Sequence, residues 1–157
     1  MQNFGKLLLN SDHVVLSKNE LIEMPPLAMA FVGDAVYELY VRSSICIDEK
    51  RRDVNYLHRS AVAYVKANAQ ATAVKALLEE LSDEEKSVVR RGRNTHPHTV
   101  PKNASISDYR YATGFEALLG YLYYSGNNER LMEILEKSYK IINTKSGNGD
   151  DADETIV

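Results

Sequence analysis

The segment Leu27-Ala28-Met29-Ala30-Phe31-Val32-Gly33-Asp34-Ala35-Val36-Tyr37 is apolar on nearly every side and carries a single charge, Asp34. An element of that kind packs inside a protein, where an unpaired carboxylate is very costly. Such a charge persists when it faces a cation, accepts several hydrogen bonds or binds a metal. The pattern returns later, with Glu116 inside Gly114-Phe115-Glu116-Ala117-Leu118-Leu119-Gly120-Tyr121. Glycine inside a helix costs roughly 1 kcal/mol against alanine, so Gly33 and Gly120 need a reason. Close approach of two helix backbones is the expected one. A crossing at these glycines would set Asp34 and Glu116 face to face, and without a lysine or arginine beside them they would repel unless a cation lay between. Magnesium suits such a pair, being a hard ion that takes oxygen ligands and keeps several waters. It can activate water and stabilise charge on a phosphate under attack. The competing reading makes each acid a hydrogen-bonded core residue. Glu38, one turn past Asp34 and one turn before Arg42, reads as half of an i,i+4 salt bridge or as a support for its neighbour.

A chain of 157 residues suffices for one domain with its own core. No apolar run is long enough to span a bilayer and no cationic leader opens the chain, so a cytoplasmic protein without membrane contact is expected. The single cysteine, Cys46, excludes an internal disulfide, fits a reducing compartment and reads as a small packing residue. The formal charge of −3 hides the distribution: Asp150, Asp151, Asp153 and Glu154 crowd the end, and the rest of the chain is nearly balanced. Between Lys86 and Lys102 the chain holds Lys86, Arg90, Arg91, Arg93 and Lys102 and no acid. Local charge of this kind decides what a surface attracts.

The order of elements reads as all-α. A lead-in over residues 1–24 is expected to be loosely ordered, a body over 25–143 to be the folded domain, and 144–157 to be a disordered acidic tail. Pro25-Pro26 starts a helix over about Leu27 to Ile47. An alanine-rich stretch follows, with Leu57, Ala61 and Val65 four apart. It is expected to split near Asn68 and to place Val74, Leu77, Leu78 and Leu81 on one side. Ser82-Asp83-Glu84-Glu85 is a capping box that starts a helix at Asp83, with Val88 and Val89 inward and the arginines outward. Thr95 to Ser105, holding Pro97 and Pro101, reads as an ordered loop. Ser105 caps the next helix, which runs through Tyr124 and ends at Gly126-Asn127. A last helix carries Leu131, Ile134, Leu135, Ser138 and Ile141 inward.

Ala30 through Glu38 resembles the signature helix of the ribonuclease III catalytic domain, and Gly114 through Gly120 resembles that family's second acidic motif. The short bacterial branch without a separate double-stranded-RNA-binding domain, Mini-ribonuclease III, is the most similar; Val100-Pro101-Lys102-Asn103-Ala104 and Tyr109-Arg110 also look like it. The chain departs from the full-length pattern at Ala30 and Thr113, where acids are usual, and the short branch shares this reduced set. The departure leaves the number of metal ions open. Thr113 reads either as a residue orienting water or as an ordinary helix-facing threonine.

The resemblance implies the ribonuclease III helical bundle in a homodimer, each subunit cutting one strand of double-stranded RNA in a magnesium-dependent reaction, with manganese as a substitute. Asp34 and Glu116 match the catalytic, metal-holding positions. Phe31 matches the aromatic residue that packs into the partner subunit, against a plain alternative of intrachain core. The implied substrate is the precursor of large-subunit (23S) ribosomal RNA, cut at a base-paired stem, with a ribosomal protein as a further partner. Double-stranded RNA offers shape, phosphates and 2′-hydroxyls more than readable bases. Lys86, Arg90, Arg91, Arg93 and Lys102 are therefore expected to meet phosphates, and Asn94, His96, His98 and Asn103 to add hydrogen-bonding groups. The alternative to an endoribonuclease is a non-catalytic double-stranded-RNA-binding module with a degenerate metal site, and a purely structural dimerisation domain is a third class.

Overall fold

Ser17 opens the first helix, α1 (Lys18–Glu23), in the computed structural model, which describes residues 15–49, 53–95, 102 and 105–147. The Ser17 hydroxyl accepts from the Glu20 amide, and the Glu20 carboxylate accepts from the Ser17 amide, two end groups satisfied reciprocally. The supposedly loose lead-in is thus a capped helix from residue 18 onward, and Leu21 anchors it in the core. The signal was present as Ser17-Lys18-Asn19-Glu20, but the helix is too short for apolar periodicity to mark it. Residues 1–14 lie outside the described part.

Helix α2 (Pro26–Asp48) begins on a proline, tolerated in a first turn where the missing N–H has no intrahelical partner. Helices α3 (Val54–Val65) and α4 (Ala67–Leu77) meet at Lys66, whose extended backbone (ψ 148°) breaks the run two residues before Asn68. The Val65 carbonyl left by this break accepts from the Gln70 side-chain amide at 2.9 Å. A 3₁₀ turn (Leu78–Glu80) leads to α5 (Asp83–Asn94), opened by the expected Ser82–Glu85 capping box. Helix α6 (Ile106–Tyr124) starts at the Ser105 cap and ends before Gly126, whose φ of 69° closes the turn into α7 (Asn128–Gly147). In α7 the buried positions are Leu131, Ile134, Leu135, Ser138 and Ile142; Ile141, expected inside, is only half-buried. Residues 144–147 form the end of this helix rather than the start of a tail, and 148–157 lie outside the described residues.

Helix α6 is the centre of the bundle, packed against α2, α4, α5 and α7. Its burial on nearly all sides from Ala112 to Tyr123 explains why it is apolar all round. Two glycine crossings allow the close packing. A Cβ on Gly33 would lie 1.8 Å from the Glu116 carbonyl oxygen, and one on Gly120 would lie 2.0 Å from that of Met29. The α2 and α6 backbones therefore touch, as the glycine spacing suggested. The second crossing, α5 on α6, uses Gly92 and Gly114; a Cβ on Gly114 would meet the Val89 carbonyl at 2.6 Å. Cys46 is exposed, so it is not the packing residue expected. Among the described residues no helix is long and apolar enough to cross a membrane.

Candidate active site

The α2–α6 crossing brings the two acids together from distant parts of the chain. Gly33, next to Asp34, rests against the carbonyl of Glu116 itself. Both side chains are half-buried. Burial pushes the Glu116 carboxyl up to about 7, and the charge of Asp34 adds to the effect. Asp34 is raised as well, by burial first and then by the charge of Glu38. Among the described residues neither acid has a salt bridge. Arg42, the nearest candidate, is paired with Glu38 at 2.5 Å, as the i,i+4 spacing predicts.

Glu85 shows what a structural acid in this fold looks like. It is buried, it caps α5, and it takes a two-pronged contact from Arg130, Nε to Oε1 at 2.8 Å and Nη2 to Oε2 at 2.9 Å. Its carboxyl is held below the usual range, chiefly by the Arg130 hydrogen bonds. Asp34 and Glu116 differ in direction: their surroundings, burial above all, disfavour the charged form.

A metal ion fits this donor set. Two hard oxygen ligands suit magnesium, which fills the rest of its shell with water. Gln70, whose side chain acts on Glu116, has a buried Oε1 with no hydrogen-bond partner among the described residues. Among the described residues no three His, Cys, Asp or Glu side chains gather in a metal-holding group. Ala30 is buried and packs with Met29, Val88 and Ala117. Thr113 is the ordinary threonine: its hydroxyl donates to the Tyr109 carbonyl of its own helix at 3.0 Å.

The basic segment divides between two faces of α5. Lys86, Arg90 and Arg93 lie on one side, around a recess edged by Leu78 and Tyr111. Arg93 donates to the Tyr111 hydroxyl at 3.1 Å and stacks its guanidinium 5.3 Å from that ring's centre. Lys75 of α4 covers the same ring at 4.6 Å, a cation that sequence reading passed over because it stands alone in its helix. Arg91 turns the other way and donates to the Ile22 and Met24 carbonyls at 3.1 and 3.2 Å, fastening the α1–α2 link. Asn94 and Lys102 are exposed, and His96, His98 and Asn103 lie outside the described residues. Phe31 is 82% exposed, so the intrachain-core alternative is excluded.

Residues 27–127 match the Ribonuclease III domain. A Mini-ribonuclease 3 from Thermoanaerobacter sp. (strain X514) is 53% identical over 82% of this chain and 89% of its own length. Another, from Clostridium tetani (strain Massachusetts / E88), is 44% identical over 84% of this chain and 87% of its own. A crystal structure of a Fusobacterium nucleatum protein superposes with a TM-score of 0.68 at 27% identity, covering 75% of this chain and 93% of that one. With its two acidic motifs joined at one helix crossing, the chain belongs to the ribonuclease III family and, within it, to the Mini-ribonuclease 3 group.

Proposed function

We propose that this chain is a magnesium-dependent endoribonuclease that acts as a cytoplasmic homodimer on double-stranded RNA. In this reading Asp34 and Glu116 hold the ion, and manganese can replace magnesium. The single observation that carries the reading is the pair of half-buried acids, in no salt bridge among the described residues, brought together where the α2 and α6 backbones touch. An ion bound there supplies Lewis acidity to an attacking water and to the phosphate it attacks. Family membership supports the substrate class and the reaction, which is hydrolysis of phosphodiesters.

The side chains divide the remaining work. Lys86, Arg90, Arg93 and Lys102 attract the phosphate backbone, and Asn94, His96, His98 and Asn103 supply hydrogen-bonding groups from the end of α5 and the stretch that follows. Arg91 contributes to this surface only through the fold, because its guanidinium already serves two backbone carbonyls. Phe31, with Leu27 and Leu39 also exposed on α2, forms the apolar surface on which a second copy seats. By family likeness alone we assign the precursor of 23S ribosomal RNA as substrate, trimmed at a base-paired stem with a ribosomal protein in attendance.

The test is incubation of purified protein with long double-stranded RNA, and with a base-paired precursor stem, in the presence of magnesium. Cleavage should disappear in Asp34→Asn while circular dichroism keeps its helical signal. Cutting by that variant at the wild-type rate would remove Asp34 from the chemistry; RNA binding without cutting by the wild type would make the chain a binding module.

A further inference from the structure

We propose that Gln70 is a positioning residue of this site: its amide N–H steadies the Glu116 carboxylate, and its Oε1 accepts a hydrogen from a water held by the metal ion. The inference rests on the metal-holding role of Asp34 and Glu116 and deepens it.

Gln70 belongs to the Ala69-Gln70-Ala71 stretch of α4, packed beneath α6, and is only 2% exposed. A side chain with an amide is an expensive occupant of such a place unless both its ends find partners. The nitrogen has one: it donates to the Val65 carbonyl at 2.9 Å, closing the break between α3 and α4. That bond also fixes which way the amide points, because a flip would set two acceptor oxygens against each other. The nitrogen has a second hydrogen, and the Gln70 side chain acts on Glu116 as a hydrogen-bonding group that favours the ionised carboxylate. Its effect opposes the burial and the Asp34 charge that favour the neutral form.

The oxygen remains, and no described group reaches it. A role confined to the α3–α4 break would explain the nitrogen and leave the oxygen as pure cost. A metal site explains both. Carboxylates that bind an ion are themselves held by neighbouring hydrogen bonds, and an ion with only two protein ligands keeps waters whose hydrogens need acceptors.

The experiment measures Mn²⁺ binding to the full chain, without RNA, by the loss of the free-ion paramagnetic resonance signal. Melting of the metal-free protein is recorded in parallel. Gln70→Leu and Gln70→Met replace the amide with apolar groups of similar size. Both should weaken Mn²⁺ binding on the order of tenfold, and both should melt somewhat below the wild type when metal-free, because the Val65 carbonyl loses its donor. Unchanged Mn²⁺ affinity in either folded variant overturns the inference, whatever its melting point. Failure of both variants to fold would make Gln70 a structural residue and overturn it equally. If the wild type itself shows no Mn²⁺ binding that Asp34→Asn abolishes, the metal site fails as a whole, a result distinct from failure of Gln70 alone.

Discussion

Glu116 is a residue whose surroundings oppose the charge its proposed role requires. In the metal-free protein its carboxyl is pushed up to about 7 from an ordinary 4.5. Between those values the folded chain binds a proton that the unfolded chain has released, so stability falls as pH rises through that window and the loss is complete above about 7. With partial exposure allowed for, the cost at pH 8 is on the order of 2 kcal/mol. Glu116→Gln removes the charge and should make the metal-free protein more stable than wild type by about that amount at pH 8, with the difference vanishing near pH 4.5. Denaturant titrations at the two pH values check this, and equal midpoints at pH 8 would refute it. The same variant should lose cleavage, the usual exchange of function for stability at a built site. At this scale the sequence was informative wherever a residue contradicted its own segment. A charge inside an apolar helix exposes Asp34 and Glu116. Gln70 breaks its alanine-rich helix as plainly, but its meaning depends on a contact with a helix far along the chain, which no local pattern carries.

Elements were legible through their ends more than their middles. Ser82 and Ser105 cap α5 and α6 where the sequence placed them, and Gly126 turns the chain after α6. The α3–α4 break falls at Lys66, two residues from Asn68 and so near where the sequence put it; the Gln70 amide that satisfies the freed Val65 carbonyl is a side-chain detail no local pattern carries. The faces of α5 were less legible: four basic residues looked alike in sequence, and only packing against α1 and α2 separates Arg91 from Lys86, Arg90 and Arg93. The glycines in α2 and α6 have a consequence for the site as well as for packing. A Cβ at Gly33 would occupy the Glu116 carbonyl, with the peptide beyond it 2.7 Å away and no flexible side chain to yield. Gly33→Ala must therefore pry α2 from α6, at a cost of about 3 kcal/mol or more, against the roughly 1 kcal/mol helix gain that alanine brings elsewhere. Thermal denaturation should record a large drop in midpoint, and magnesium should no longer raise the midpoint of whatever remains folded. A variant as stable as wild type would mean that the two backbones are not in contact.

At the scale of the molecule, α2 has two jobs that point in opposite directions. Inward it presents Gly33, Val36, Tyr37 and Val41 to the core; outward it leaves Leu27 at 45%, Phe31 at 82% and Leu39 at 45% exposure. Leu39 also edges an apolar recess walled by Val36, Tyr40 and residues of α7 such as Leu131 and Leu135. An exposed phenylalanine on a helix that also edges such a recess is a poor design for a monomer, and a helix running along a two-fold axis covers its own exposed face with the same face of a second copy. Dimerisation would also set two cleavage centres in one particle, as cutting both strands of a duplex requires. Phe31 lies three residues before Asp34 on the same helix, so the contact that pairs the subunits and the acid that holds the ion would share one rigid element. Phe31→Asp should then turn the protein into a monomer in sedimentation experiments at micromolar concentration. Its helical content should stay unchanged, since Phe31 is 82% exposed within the subunit. Magnesium-dependent double-strand scission should fall with the dimer population. A variant that still sediments as a dimer, or a wild type that is monomeric at the concentrations where it cuts, would mean that the outward face of α2 serves another purpose.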